Sequence, residues 1–478
     1  MIMSSTPERK FSMWTLTAMC VGSMVGAGIF SLPQAFGDAT GPFGAMIAWA
    51  IAGVGMMMLA FVFQSLSKRK PDLDAGIYAY AKAGFGDYLG FLSALGYWSA
   101  ALLGNVTYFV LIKSMLGLFF PVFGDGNTIF AVATSSMLLW IVHILILRGI
   151  REAAAINTIV TFAKIIPIAL FIVFVIYGFQ ADIFALNFWG GENVTFSNIA
   201  GQVRATMLVT VFVFVGIEGA SVYSRYARNR ADVGVATLLG FVGVLCLLVL
   251  VTILSYGIML RPDLANLRNP SMAGVLSAIV GPWGTLFVSA GLMVSVGGAY
   301  LSWVLLAAEI LFSASKYGTM PKFLMHENGA GVPSNALWLT NIIVQVFLIL
   351  SLFAQYALRL AIELTSSMIL IPYFLVSAYG FKLAATGETY GLNSASRRGE
   401  FLRSGVALIY TFFLIAAAGG THLLLSAAIY GPGSILFFMA RREQKLPVFK
   451  PAEMLIFSVA AIGALVAIYS LATGRIAV

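Results

Sequence analysis

Gly22-Ser-Met-Val-Gly26-Ala-Gly28 lies inside an apolar run from about residue 13 to 36, and Gly216-Ile-Glu-Gly219-Ala lies inside another from about 203 to 225. Glycine is a poor helix former, so each run reads as a helix with a weak point in its middle. Backbone that leaves the helix at membrane depth is tolerated only where protein or a wet cavity meets its amides and carbonyls. Counted along the apolar runs, the second interruption falls five spans after the first. Broken helices at positions one and six point to two inverted five-helix repeats with a binding site between the breaks. The same glycines also suit close helix packing through small-xxx-small contacts, and pattern alone leaves both readings open. Gly26-Ala-Gly28 is not a phosphate loop, because no strand precedes it and its flanks are apolar.

The rest of the chain agrees with a membrane setting. Of 478 residues, 60% are hydrophobic and only 10% charged, with a mean hydropathy of +0.94. That excludes a soluble enzyme, a disordered chain and a collagen-like one. At about 20 apolar residues per spanning helix, the composition supplies about thirteen spans. The expected fold is an all-α integral membrane protein forming one transporter domain. Its first repeat covers about 13–179, its second about 203–381, and peripheral helices about 404–472, with runs 404–420 and 421–440 read as separate spans. The apolar run after Met1–Lys10 is too long for a signal peptide and is read as the first span.

The net charge of +9 does not indicate a nucleic-acid partner, since the charges sit between apolar runs, where they report topology. Of the 28 lysines and arginines, only Arg204, Arg261, Arg268, Arg359 and Arg475 fall on or near one side, and Lys113 and Lys164 fall within spans. The remainder, including Arg9, Lys10, Lys68, Arg69, Lys70, Arg225, Arg397, Arg403 and Arg441, collect on the other. Positive loops stay in the cytoplasm, so the N-terminus is expected inside. Lys113 is close enough to a helix end to snorkel, and Arg359 and Glu363 form an i,i+4 pair near an outer end. The segment from Ser67 to Gly86 reads as a short helix lying at the inner surface, placed to act as a gate. Cys20 and Cys246 have no metal-ligand spacing and read as small buried hydrophobes. His143, His326 and His422 are scattered, which leaves no metal-holding cluster. No cofactor is expected.

Val21-Gly-Ser-Met-Val-Gly-Ala-Gly-Ile-Phe30 and Phe214-Val-Gly-Ile-Glu-Gly-Ala-Ser221 resemble the amino acid, polyamine and organocation transporter superfamily. The basic amino acid/polyamine antiporter branch is the nearest part of it. Within that branch Phe61-Val-Phe-Gln, Lys70-Pro-Asp-Leu-Asp-Ala-Gly-Ile-Tyr-Ala-Tyr, Asn269-Pro-Ser-Met-Ala and Ile369-Leu-Ile-Pro-Tyr373 are similar to bacterial arginine/ornithine antiporters. The resemblance runs from the first span through the thirteenth. It implies a five-plus-five inverted-repeat core, unwound at the centre of helices one and six.

A free amino acid brings a carboxylate and an ammonium, and a broken helix offers bare amides on one half and bare carbonyls on the other. The resemblance implies that Ala27 and Gly28 present amides to the carboxylate, and that carbonyls of Met24, Phe212 and Val215 receive the ammonium. Ala27 stands where relatives often carry serine, which leaves the carboxylate to the backbone. Trp303 matches the family tryptophan that offers a π face to a cationic side chain, and Ala100, Ala101, Asn105 and Thr365 match positions around the guanidinium. Asn105 is also open to an interhelical hydrogen bond. Glu218, deep in the sixth span, matches an inner-gate glutamate flanked by Tyr97 and Tyr373; a structural salt bridge is the alternative. Phe212 stands where the family often has a gating tryptophan. Lys164 matches a lysine that replaces a sodium ion in proton-coupled relatives, with snorkelling or carbonyl pairing equally open.

The sequence thus reads as a secondary antiporter in the bacterial inner membrane, taking up arginine and releasing ornithine by alternating access. Proton-coupled uptake of cationic amino acids and arginine/agmatine exchange are the alternatives. An amino-acid sensor is disfavoured by the lack of a cytoplasmic segment long enough for an output domain, and an enzyme by the lack of a nucleophile, base or metal set. Expected partners are arginine, ornithine and the lipid bilayer, with no nucleic acid and with a homodimer left open.

Overall fold

The computed structural model describes residues 11–73, 76–149, 151–191, 194–222, 227–353, 357–390, 394–473 and 475–476. Arg9, Lys10 and Arg225, three of the charges used for orientation, lie outside them. Helix α1 (Met13–Met24) starts where the Ser12 hydroxyl accepts the Thr15 amide, and after a three-residue break it continues as α2 (Gly28–Ala39), bent by 44°. Pro42 then opens α3 (Pro42–Arg69) at a position where a missing amide hydrogen costs nothing. Next come α4 (Ile77–Phe85), α5 (Asp87–Phe119), α6 (Ile129–Leu147), α7 (Arg151–Gly178) and α8 (Ala181–Asn187). The second half starts at α9 (Phe196–Phe214), capped by the Thr195 hydroxyl, and resumes after a break as α10 (Gly219–Val222). It continues through α11 (Arg230–Ser255), α12 (Arg261–Ala265), α13 (Ser271–Val280), α14 (Pro282–Lys316), α15 (Ser334–Leu350) and α16 (Ala357–Thr386). Helices α17 (Ser394–Gly433), α18 (Ile435–Glu443) and α19 (Pro451–Ala472) close the chain.

The packing repeats itself across the two halves. Helix α1 packs on α7 as α9 packs on α16; α5 packs on α16 as α14 packs on α7; and α1 meets α11 as α3 meets α9. Each pair of contacts exchanges when the chain is advanced by five spans, which is the relation expected of inverted repeats. Both breaks end up at the centre, because long arms from each half, α5 and α14, flank them.

Among the described residues, nine helices are long and apolar enough to cross a membrane, and two further spans are bent pairs, one at α1/α2 and one at α7/α8. The expected ninth span is the 17-residue α15. The expected eleventh and twelfth lie within α17 as two helices that meet in a non-helical kink at Gly419, with φ +77° and ψ +169°.

Three local expectations change. Lys113 does not snorkel: it is 1% exposed and donates to the Ser351 hydroxyl at 2.9 Å, because the loop at Gly126 packs over it. Helix α4 does not lie on the surface, since Ile77, Tyr78 and Tyr80 are buried against α5 and α16, and Tyr78 receives a hydrogen bond from Thr319. Cys246 is exposed on its helix face, whereas Cys20 is buried between the breaks.

Polar clusters tie the helices together at both ends. At one end Arg69 grips Glu400 with both carboxylate oxygens, at 2.7 and 2.6 Å, while Tyr390 donates to the same carboxylate at 2.7 Å. At the other, Arg261 donates to the Gly37, Asp38 and Gly190 carbonyls around the end of α2.

Candidate functional site

At break one the chain leaves the helix at Val25, with ψ +84°, and re-enters at Gly28. Its carbonyl side is filled from two other helices, α7 and α14. The Lys164 ammonium, fully buried, donates to the Gly22 carbonyl at 2.5 Å. The Trp303 indole N–H donates to the Ser23 carbonyl at 3.1 Å, and the Ser295 hydroxyl lies 3.4 Å from the carbonyls of both Val25 and Gly26. The amide side is different: among the described residues, no acceptor is recorded for the amides of Ala27, Gly28 or Ile29 at the start of α2. Those amides carry the positive end of the helix dipole.

Break two, from Val215 to Glu218, turns through Gly216 at φ +112°. A side chain is excluded there twice, by that backbone conformation and by the Ser23 backbone carbon 2.7 Å from where a Cβ would sit. The Ser23 hydroxyl donates to the Gly216 carbonyl at 2.8 Å, so one serine joins the two breaks. Glu218 is fully buried; its carboxylate accepts the Tyr373 hydroxyl at 2.7 Å and the Gly216 amide at 3.3 Å. Tyr97 interacts with the same carboxylate and tilts against Trp303, with ring centroids 6.1 Å apart. The three residues expected to act together as a gate are therefore in one cluster.

Between the breaks lies a narrow cavity of about 20 Å³, room for about one water molecule and far below the roughly 300–1,000 Å³ of open small-molecule sites, so the walls stand close together in this conformation. Met24, Ala27, Gly28, Ala100, Phe212, Val215, Trp303 and Thr365, all expected from the sequence, line it. Ala101 and Asn105 do not, although both are buried. The α5 wall is instead the stripe Ala100, Gly104, Tyr108, one residue every helical turn, and Ala101 and Asn105 belong to the neighbouring stripe. Both polar atoms of the Asn105 amide are buried without a hydrogen-bond partner among the described residues. Ser23, Gly26, Gly104, Tyr108 and Val213 complete the lining and were not foreseen. The i,i+4 spacing of Ala100, Gly104 and Tyr108 was the available signal.

No lining side chain is charged. A charged ligand would meet backbone dipoles and aromatic faces only. The carbonyls proposed for an ammonium are partly engaged already: Met24 accepts the Gly26 amide at 3.0 Å and Phe212 accepts the Val215 amide at 3.3 Å, each keeping a second lone pair. The Phe212 ring approaches Gly28 so closely that a Cβ there would lie 2.9 Å from it, which brings α9 onto the start of α2.

The amino acid permease family profile matches residues 11–433. A Pseudomonas aeruginosa protein named arginine/ornithine antiporter is 53% identical over 99% of both chains. The L-lysine transport protein of Corynebacterium glutamicum is 38% identical over 99% of this chain and 97% of its own. An arginine/agmatine antiporter from Chlamydia trachomatis is 37% identical over 98% of each. In fold, the chain is similar to that in the crystal structure of MhsT in complex with L-phenylalanine, with a TM-score of 0.61, 14% identity, and coverage of 87% of this chain and all of that one.

Proposed function

The chain belongs to the amino acid permease family, and we propose that within it this protein is a secondary active antiporter exchanging extracellular arginine for intracellular ornithine by alternating access. The observation that carries the reading is the cavity between the breaks, with open amides on one wall and no charged side chain on any. An α-carboxylate pairs with the amides of Ala27 and Gly28, and the α-ammonium with the second lone pairs of the Met24, Phe212 and Val215 carbonyls. The side-chain cation takes the face of Trp303, while Asn105, on the neighbouring stripe of α5, stays out of the cavity. Neutral contacts of this kind hold a cation without trapping it, which suits a carrier that must let go on the far side. Glu218, with Tyr97 and Tyr373, closes the path on the side of Arg69.

The reading includes one transporter domain, with repeats over about 13–179 and 203–381 and peripheral helices after them, in the bacterial inner membrane. Arg69, Lys70, Arg397, Arg403 and Arg441 gather at the end opposite Asp38, which supports a cytoplasmic N-terminus.

Arginine and ornithine each carry a net charge of about +1 at neutral pH, so their exchange moves no net charge, whereas each uncompensated charge is worth about 2.3 kcal/mol per 100 mV. In liposomes loaded with ornithine, arginine uptake is expected to be unchanged by a valinomycin-imposed potassium diffusion potential and to fall to background when ornithine is omitted. Full uptake into empty liposomes would overturn exchange. That result would favour proton-coupled uptake, the reading supported by the Lys164 contact with the Gly22 carbonyl.

A further inference from the structure

At the Asp38 end of the bundle, His422 sits three residues past the Gly419 turn of α17, with its Nε2 2.7 Å from a Glu363 carboxylate oxygen and its Nδ1 2.9 Å from the Ala418 carbonyl. Both neighbours can only accept hydrogen bonds, and a neutral imidazole has a single N–H to give. Only the imidazolium satisfies both contacts. The other Glu363 oxygen receives the Arg359 Nε at 3.0 Å, and the same guanidinium lies 3.5 Å from Asp38. The pair lies beside the Gly419 turn and the Arg359 guanidinium, 70% exposed, at the Asp38 end of the bundle, which places it where protons from solution reach it.

The cluster joins the elements that wall the cavity. Asp38 is on α2, which carries the open amides; Arg359 and Glu363 are on α16, less than two turns from Thr365. The Arg204 Nε on α9 reaches the Ala417 carbonyl at 3.4 Å, beside the same turn. The charged groups facing His422 are therefore Glu363 and Arg359 from α16, with Arg204 of α9 on the adjoining carbonyl. Among the described residues, the charged groups that α3, α5, α18 and α19 set near α17, namely Arg69, Asp87, Arg441 and Glu453, lie toward its other end.

We propose that His422 is a proton-binding site, and that its protonated form latches α2, α9 and α16 to the α17 turn, holding the cavity closed on the Asp38 face. Loss of the proton to solution turns one ring nitrogen into a lone pair facing an oxygen, and the latch loosens. Acid on that side slows opening there; alkali speeds it. The consequence for transport rests on the exchange reading and its orientation, but the proton site itself does not.

In right-side-out membrane vesicles loaded with ornithine at constant internal pH, initial arginine uptake is expected to rise about three- to tenfold as external pH goes from about 5.5 to 8, the effect of one partly hydrated charge-assisted hydrogen bond. His422→Gln removes this dependence, and His422→Lys, with a fixed charge, stays at the slow acid rate. An independent readout is thermal unfolding of the detergent-solubilised protein. Because the latch of the proposal forms only with the proton bound, its stabilisation is expected at low pH and is lost as pH rises, in the wild type and not in His422→Gln. The same pH profile in wild type and His422→Gln by both measurements would overturn the proposal, as would a dependence on internal rather than external pH. An unfolding difference with no arginine exchange at any pH would leave the proton site standing and sink the transport reading.

Discussion

The two helix breaks share a glycine-rich composition, yet they satisfy their polar groups in opposite ways. Break one borrows donors from outside: Lys164 from α7, and Trp303 and Ser295 from α14, cover the carbonyls of Gly22, Ser23, Val25 and Gly26 and leave that of Met24. Break two holds its Gly216 amide with its own Glu218 and takes one hydroxyl, from Ser23 of its counterpart, on the Gly216 carbonyl. On the proposed function the difference sorts the two ends of the ligand: break one offers open amides to the carboxylate, and the ammonium is left to the carbonyl lone pairs of Met24, Phe212 and Val215.

The comparison breaks most completely at Gly216. Gly216→Val forces a branched residue to a φ of +112° against the Ser23 backbone, a strain of about 1 to 3 kcal/mol before the clash is counted. Exchange should drop to background, with loss of the monodisperse peak on size exclusion; a well-folded, active variant would show that break two is less tightly held than described.

Next in size is Trp303→Leu, which removes both the π face and the donor to Ser23. Arginine affinity should fall about 5- to 30-fold, corresponding to roughly 1 to 2 kcal/mol. Wild-type affinity by calorimetry in detergent would remove Trp303 from the site.

Glu218→Gln tests whether the acid of break two is a gate or a ligand. A gating group changes the equilibrium between states, so turnover should drop about tenfold while affinity changes less than about threefold. Abolished binding would make Glu218 a ligand.

Ser23→Ala should have the smallest effect. It deletes the hydroxyl joining the breaks, worth about 0.5 to 1.5 kcal/mol, and should lower the unfolding midpoint by a few degrees without changing substrate preference. An altered preference would mean that Ser23 touches substrate.

Much of the site was legible because the helix period and the glycine interruptions are local signals. Gly22 to Gly28 and Gly216 to Gly219 announced the breaks, and a lone carboxylate at membrane depth announced Glu218. Which stripe of α5 faces the cavity was not legible, since Asn105 and Gly104 are neighbours in sequence and a rotation of about 100° per residue separates their directions. Nor was the burial of Lys113 or of α4, because hydropathy records how apolar a residue is and not what covers it.

Hydropathy and glycine placement by themselves determined that this chain is a membrane-embedded helical protein, broken at two related points, with its positive charges gathered on one side. Those properties depend on each stretch of chain and the solvent around it. Only the tertiary structure decided which polar groups complete one another: Lys164 with Gly22, Arg69 with Glu400, His422 with Glu363, Ser23 with Gly216. The physical reason is that a buried donor in a low-dielectric interior must find an acceptor wherever folding brings one, and sequence distance places no limit on where that is.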